Sequence, residues 1–598
     1  MNLKIITLSL LFAINTHGQV CNTPPEFNRA TPKRDIRGVF LTTVFNLNWP
    51  STINASTAVQ KAELISILDH LKDNGYNAIF FQVRTECDAL YRSDIEPWSR
   101  WLTGVQGLAP AEMWDPLEFV TQQAHQRGMD LHAWLNPYRA KTSSSLYQYS
   151  ADHVTNKNPS WVFSASNNDK LFILNPGLPE VRAYINRVVQ DIITRYDVDG
   201  IHFDDYFYPS GGMAASPNNQ DAQTHLLFNP RGLTLFDWRR DNVNQMIAGV
   251  YDLIQNVNEA KKKNTVFGVS PFGIWKSGVP LGVSGNSSYS ALYCDPLQWL
   301  EAGKVDYLAP QLYWRIGGAQ DYLALSSWWN SQAALYEKQI YPGLAFYRIG
   351  EAAFGSGTEI QDQISINRSE TMMATYGMIA YNYSDIKNND GTINSLLNGK
   401  EYANPSFAPP IEGKDNICPL VPANVRIEGN LLKWETPLAA NDGDKPKKYV
   451  IYAFDNTAQA ITNREDGAKI IGITASNQWP LSQSLMDNKK FVVSSLDKNN
   501  NENGDFGQLI SSSKDVSDLP PWSIYPNPTS GDFSIRINKK IKQVKLYNIS
   551  GQCIYAVNVL HNEEGQLNVQ MDGQTSGMYI INLLDTNGQI HRGKVSKF

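Results

Sequence analysis

The sequence predicts an α/β fold: a (β/α)8 TIM barrel followed by two small all-β sandwich domains. Three observations carry that expectation. Between about residues 33 and 405, short apolar strands alternate with amphipathic helical stretches, roughly eight times over about 350 residues. Several of those strands carry polar or aromatic groups on one alternation face near their C-terminal ends, where a barrel opens. Beyond residue 421 the helical period is lost, and short alternating strands separated by Asn, Asp and Gly turns take over.

The chain, at 598 residues, exceeds what one domain holds. Its first 18 residues place Lys4 before an apolar run from Ile5 to Ile14 and end in Thr16-His17-Gly18. That pattern reads as a secretory signal peptide, too short to span a membrane. Cys21 invites a lipoprotein reading, but Gly18-Gln19-Val20 lacks the Leu and small residues such a signal needs. No other run is long and apolar enough to cross a bilayer, so no transmembrane segment is expected.

A net charge of -6 over this length argues against nucleic acid and against an anionic membrane surface as partners. Aromatic residues at 11 % fit an exported protein with flat faces for sugar rings, although most will serve the core. Five cysteines, at 21, 87, 294, 418 and 553, show no metal-ligand spacing, and neither metal nor cofactor is expected. Export permits a disulfide; Cys21 with Cys418 would tie together the two ends of the first domain. The protein is read as a monomer.

Strands are read at 38–43, 78–84, 131–137, 200–206, 266–272, 307–313, 341–347 and 377–383, with helices such as 61–74, 116–127, 180–196 and 236–260. An open doubly wound sheet is the competing topology, but no glycine-rich phosphate loop follows the first strand. On the second strand Phe81 and Val83 face one way and Gln82 and Arg84 the other. On the third, Leu131, Ala133 and Leu135 alternate with His132, Trp134 and Asn136. On the fourth, Ile201 and Phe203 oppose His202, Asp204 and Tyr206. Gly268, Ser270 and Phe272 share a face, as do Gln311 and Tyr313, with Trp314 next. One inward polar residue is commonly a satisfied core group; five strands doing so together indicate a pocket. Aromatic loops at 88–101 and 206–212 would build its walls.

The fourth strand is the distinctive one. Adjacent carboxylates, Asp204 and Asp205, end a buried strand, where ionised groups are expensive and rarely sit side by side unless a function requires them. Asp204 points inward by alternation, and Asp205 turns in as well if the chain leaves the strand there.

Several motifs fall in order along this region: Arg37-Gly38-Val39-Phe40, Phe80-Phe81-Gln82-Val83-Arg84, Ala133-Trp134-Leu135-Asn136-Pro137-Tyr138-Arg139, Asp199 through Tyr206, Trp238-Arg239-Arg240-Asp241-Asn242-Val243-Asn244, and Pro310-Gln311-Leu312-Tyr313-Trp314. As a set they resemble the glycosyl-hydrolase-like 10 family over about residues 33–405. The resemblance implies a TIM barrel and glycoside hydrolysis, with a glycan as substrate; relatives act on peptidoglycan strands stripped of peptide. One departure stands out: the family usually has Pro after Arg84, and here Thr85-Glu86-Cys87-Asp88 follows.

Glycoside cleavage needs a proton for the leaving oxygen and a negative charge or nucleophile at the anomeric carbon. Two schemes are open. In one, Asp204 orients the 2-acetamido group of an N-acetyl sugar, which attacks its own anomeric carbon, and Asp205 is the acid/base. In the other, Asp204 is the nucleophile and the acid is Glu86, Asp88 or Glu96. Substrate contacts are expected from Arg84, Asp88, Asn136, Tyr138, Arg139, His202, Tyr206, Gln311, Tyr313 and Trp314, with weaker claims for Trp275 and Tyr347. Arg84 and Arg139 either hold an acidic substituent or form structural ion pairs; His202 either tunes the acid or is a bonded core histidine.

The tail divides in two. Residues 406–420 read as a proline-rich linker, and 421–515 resemble a fibronectin type III sandwich, with Trp434 and Tyr449 or Tyr452 in its core and a role in spacing or weak glycan contact. Residues 519–598, through Ile524-Tyr525-Pro526-Asn527-Pro528, Val544-Lys545-Leu546-Tyr547-Asn548 and Ser576-Gly577-Met578-Tyr579, closely resemble the C-terminal sorting domain of the type IX secretion system. That resemblance implies the type IX machinery as a partner and a secreted or outer-membrane-surface location.

Overall fold

A computed structural model of the chain describes residues 28–142, 147–165, 168–209, 221–503 and 509–511, and 522–597 apart from short gaps. The signal peptide at 1–18 and the loop residues 210–212 lie outside the described residues. Two compact units are present, one reaching to Ser511 and one from Ser512.

The first unit is built on eight parallel strands: β1 (Ile36–Leu41), β2 (Ala78–Arg84), β3 (Asp130–Leu135), β4 (Gly200–Phe203), β5 (Val266–Val269), β6 (Tyr307–Leu308), β7 in two pieces (Gln339–Ile340 and Gly343–Ala345) and β8 (Gly377–Tyr381). Each pairs with its successor from β1 to β6. The first piece of β7 pairs with β6 and the second with β8, which pairs with β1, so the ladder closes. The fold class and all eight strands agree with the expectation from sequence. The C-terminal ends of β4, β5 and β6 come earlier than alternation suggests, because the inward phase continues for a few residues after the chain has left the ladder.

Large rings fill the barrel where the facing strand carries glycine. Phe40, Phe80, Trp134, Tyr307 and Tyr341 form the inner cluster. A Cβ at Gly200 would run into the His132 ring, and one at Gly268 into the Tyr307 ring, so only glycine fits at either place. Outside, helices α1 (Thr57–Asp73), α2 (Pro116–Gln126), α3 (Pro179–Arg195) and α4 (Leu235–Lys261) lay apolar stripes on the strands. Residues three and four apart, such as Val181, Ile185, Val188 and Ile192 of α3, are buried together. Side chains of Ser56, Asp115 and Thr234 cap the starts of α1, α2 and α4.

The sandwich after the barrel consists of β9 (Ala423–Glu428), β10 (Leu431–Glu435), β11 (Lys448–Phe454), β12 (Ile470–Thr474), β13 (Gln478–Pro480) and β14 (Lys490–Leu496). Its antiparallel sheets have the orders β9-β10-β13 and β12-β11-β14. Trp434 and Tyr449 meet edge-on, with ring centroids 5.2 Å apart, within one core cluster, and Tyr452 lies in a neighbouring one.

Two expectations need correction here. Residues 406–420 are not a free linker. Phe407 is buried in the same cluster as Val450 and Tyr452, and its backbone pairs with Lys33 and Asp35 at the foot of β1. Nor is the sandwich a spacer. Lys448 reaches Asp130 at the start of β3 (2.6 Å), Lys447 pairs with Asp199 just before β4, and Lys33 pairs with Glu502 (2.6 Å). The sandwich therefore covers the N-terminal end of the barrel, the end opposite the strand termini that carry Asp204.

The unit from Ser512 folds as β15 (Trp522–Tyr525), β16 (Phe533–Ile537), β17 (Ile541–Tyr547), β18 (Cys553–Asn558), β19 (Gly565–Val569), β20 (Gly577–Asp585) and β21 (Ile590–Lys597), in sheets β15-β16-β19 and β18-β17-β20-β21. Alternate residues Ile581 and Leu583 of β20 join Val544 and Leu546 of β17 in its core. Cys418 is disulfide-bonded, and Cys87, Cys294 and Cys553 are free; the expected partner Cys21 lies outside the described residues. No helix among the described residues is long and apolar enough to cross a membrane.

Candidate active site

β4 stops at Phe203, and the turn that follows buries both carboxylates, leaving Asp204 5 % and Asp205 8 % exposed. They face different neighbours. Asp204 turns toward β3: its Oδ2 accepts from Trp134 Nε1 (3.1 Å) and from the Asn136 side-chain amide, and its Oδ1 from the Tyr206 backbone N–H (3.4 Å). Asp205 turns toward the segment after β6 and Gln311, whose amide donates to the Ser270 carbonyl (3.1 Å).

The orientation of Asn136 is fixed by a relay that starts on the backbone. Thr43 and Val44 N–H groups both donate to Gln82 Oε1 at 3.0 Å. That leaves Gln82 Nε2 to donate to Asn136 Oδ1 (2.7 Å), where an Arg139 Nη also donates (2.6 Å). With its oxygen so engaged, Asn136 can only present its amide nitrogen to Asp204. Arg139 is further held by the Thr85 carbonyl (2.9 Å) and lies 5.2 Å from the Tyr206 ring centroid.

Burial disfavours both carboxylates. It pushes Asp204 up to about 7, with Arg139 opposing and the Asp205 charge adding to the rise. It pushes Asp205 up to about 6, with the neighbouring Gln311 amide opposing. Near neutral pH the pair therefore holds a proton to give and a charge to offer.

Above the pair stands an aromatic wall. Tyr206 is 49 % exposed, while Gln311, Tyr313 and Trp314 are half-buried. Tyr313 lies 5.9 Å from both Tyr347 and Tyr381, ring to ring. Trp275 sits further round, stacked on Trp328. Two members of the site escape the sequence-based assignment of site residues. Alternation marks Gln82 only as inward-pointing. Tyr381, whose hydroxyl is pushed up by burial and then by the Asp204 charge, ends β8 in the inward phase of Gly377 and Ile379, a signal present in the sequence.

Four expected substrate contacts are corrected. Arg84 is buried and fully engaged by Glu96 (2.7 Å) and the carbonyls of Asn136 and Pro137. Asp88 is buried, accepting from Thr85, the Glu86 N–H and Gln106. Tyr138 is buried in the outer core beside Phe207. His202 is the bonded core histidine of the two readings, held by Ser270 (2.7 Å) and Tyr307 (3.0 Å) and kept neutral by burial. The alternative acids are tied up as well: Glu86 by Arg100, Trp101 and the Thr142 N–H, and Glu96 by Arg84 and Tyr184.

Gln82→Glu tests the relay. The carboxylate would still accept from Thr43 and Val44 but would have nothing to donate to Asn136, freeing that amide to turn from Asp204. We expect a fall in kcat/KM of about 100-fold, carried by kcat, with the fold retained by circular dichroism.

A glycosidic bond breaks when one group protonates the departing oxygen while an anion faces the sugar it leaves behind. Two buried carboxyls at the C-terminal end of β4, both raised toward neutral pH, offer that combination under a wall of rings, as in a glycoside hydrolase-like protein. The family comparison agrees. The chain belongs to the glycosyl hydrolase-like 10 family, whose model matches residues 35–358, and residues 523–596 match the secretion system C-terminal sorting domain. Among curated relatives, the glycosyl hydrolase YngK of Bacillus subtilis is 32 % identical, covering 80 % of this chain and 94 % of its own. The glycosyl hydrolase DigH of Escherichia coli is 35 % identical, covering 61 % and 88 %. A solved structure, the catalytic domain of a beta-amylase from Paenibacillus polymyxa, is 12 % identical over 62 % of this chain and 99 % of its own, with a TM-score of 0.41.

Proposed function

We propose that the protein is an exported hydrolase of N-acetylated glycans, with peptidoglycan-like strands as the favoured substrate, in which Asp205 is the acid/base and Asp204 holds the substrate's 2-acetamido group. The unequal grip on the two carboxyls supports this reading. Asp204 is clamped by Trp134, Asn136 and the Tyr206 N–H. A carboxyl held in this way is suited to anchoring the substrate: its oxygen can accept the acetamido N–H and so turn the acetamido carbonyl oxygen onto the anomeric carbon. Asp205, beside Gln311, has fewer competitors for its oxygens, as a group that gives up and retakes a proton requires. The scheme with a distant acid is disfavoured because Glu86, Asp88 and Glu96 are buried in partnerships of their own.

Burial places Asp205 at about 6 and Asp204 at about 7, so between these values the proton of the free protein rests mainly on Asp204, and the proposed roles require it to pass to Asp205 when the substrate's acetamido N–H meets Asp204. The singly protonated form peaks between the two values, so kcat/KM should follow a bell. It falls below about 6 as the two carboxyls together take up a second proton, and above about 7 as they lose the first. A profile flat from about pH 5 to 9 would exclude the pair as acid and base.

The sorting domain points to secretion or the cell surface. Peptidoglycan lies beneath an outer membrane, so the proposed targets are walls of other cells, shed fragments or another N-acetylated glycan. The deciding experiment digests denuded peptidoglycan, chitin oligomers and their de-N-acetylated forms in heavy-oxygen water. Mass spectrometry should find the label on a new reducing end of acetylated substrates alone. Equal cleavage of the de-acetylated forms would refute acetamido participation. Saturable binding without turnover that survives Asp204→Asn would point instead to a carbohydrate-binding barrel.

A further inference from the structure

Away from the barrel mouth, three carboxylates from two stretches of chain converge. Asp415 lies in the segment that enters the sandwich, and Asp442 and Asp444 in the connection between β10 and β11. Each offers an oxygen, and these lie within 4.8 Å of one another. All three residues are half-buried. Such a trio by itself is common on protein surfaces; what sets this one apart is Asp497, just after β14.

Asp497 is completely buried. Its Oδ1 accepts from the backbone N–H groups of Asn499 (2.7 Å) and Asn501 (2.9 Å), but its Oδ2 is buried with no hydrogen-bond partner. A dry carboxylate oxygen left unpaired is costly. The charge that acts most strongly on it is another anion, Asp415. Asn501 links the two residues, its N–H on Asp497 and its side-chain amide on the Asp415 carbonyl (3.0 Å). Asp415 Oδ2 is likewise buried without a partner. Lys498 pairs with Asp444 (2.9 Å) and Lys262 lies near, yet four carboxylates outnumber these two cations.

We propose that Asp415, Asp442 and Asp444, backed by Asp497, hold a calcium ion that ties the entry segment of the sandwich to two of its loops. Every donor is a hard oxygen, with no His or Cys among them, which argues against zinc or copper. Donors on separate loops give an irregular cage, which calcium tolerates; magnesium demands a near-ideal octahedron and keeps its water. The spacing of these residues, 415, 442, 444 and 497, matches no contiguous motif, which is why the sequence alone leads to no expectation of a metal.

The test uses the intact protein, stripped with a chelator that is then removed. It is melted against calcium chloride, magnesium chloride and sodium chloride of matched ionic strength, beside Asp442→Asn/Asp444→Asn, and titrated calorimetrically with calcium chloride. We expect one ion per chain and a saturable rise in melting temperature of about 3 °C, with half-effect at about 10⁻⁴–10⁻³ M as in extracellular modules. Magnesium should act more weakly and sodium not at all. The double variant should melt above the stripped wild type, since repulsion is relieved, and below the calcium-loaded one. The proposal fails if the wild type shows neither calcium heat nor a calcium shift, or if the double variant keeps the shift. It also fails if that variant melts below the stripped wild type, the result expected if Lys498 alone balances the cluster. Should the variant not fold, the wild-type calorimetry decides by itself.

Discussion

Asp205→Asn should lower kcat/KM on a natural N-acetylated glycan by about 10³–10⁴-fold, yet leave measurable turnover of an aryl glycoside whose leaving group needs no proton. Asp204→Asn should abolish turnover of both. The contrast follows from the sides to which the two carboxyls turn. Asp204 is clamped from the β3 side by Trp134 and Asn136, and Asp205 turns to Gln311 after β6, so one can steady the sugar while the other serves its leaving oxygen. Rescue of Asp204→Asn, and not of Asp205→Asn, by the activated leaving group would reverse the assignment. Loss of both substrates in both variants would unite the carboxyls in a single role. Neither loss should come from unfolding. Each carboxyl binds its proton more tightly folded than unfolded, so the stability it contributes is full at low pH and is lost as pH rises toward 6 and 7. Both asparagine variants should therefore melt at or above the wild type at about pH 8, the usual cost of a functional site.

Glu502→Gln should cost about 3 kcal/mol of stability near neutral pH, measured by denaturant unfolding, without altering the pH profile of catalysis. Glu502 is buried and receives Lys33 (2.6 Å) and the Tyr452 hydroxyl (2.7 Å), with Arg34 behind. Lys33 and its neighbours overcome burial and hold its carboxyl down at about 2. The sign is opposite to that of the proposed catalytic pair. Stability from Glu502 is present above the ordinary carboxylate range and is lost as pH falls toward 2, so the gap between variant and wild type should close in acid. The same contacts predict that a chain cut before the sandwich, near residue 421, will not yield a soluble barrel. Removal of 421–511 strips Asp130 and Asp199 of Lys448 and Lys447 and exposes Phe407. A soluble, cooperatively melting truncation would show that the sandwich merely rests on the barrel.

Residue by residue, alternation is a good guide to phase and a poor one to depth. β2 lies where alternation puts it, and the inward phase of Gln82, Trp134, Asn136, His202 and Asp204 holds throughout. But His202 and Asp204 share that phase while lying two residues apart along the strand, about 7 Å. That step separates the Tyr307 layer from the level of the aromatic wall, and alternation carries no mark of it. Loops are harder. Arg84 has the look of a ligand-holding cation because its partner, Glu96, comes from a loop that obeys no period. Asp88 and Glu86 are drawn into the same kind of local network.

Everything written in short-range pattern was settled by the order of residues: eight strands and their faces, four long helices, the acid pair at the end of β4 and the motifs of the C-terminal sorting domain. Packing alone closed the ladder through a broken β7, clamped Asp204, sealed the barrel's foot with the sandwich and brought Asp415 to Asp497. Periodicity records which side of an element is buried. Hydrogen bonds and ion pairs between residues far apart in the chain depend on distances that exist only once the elements have packed.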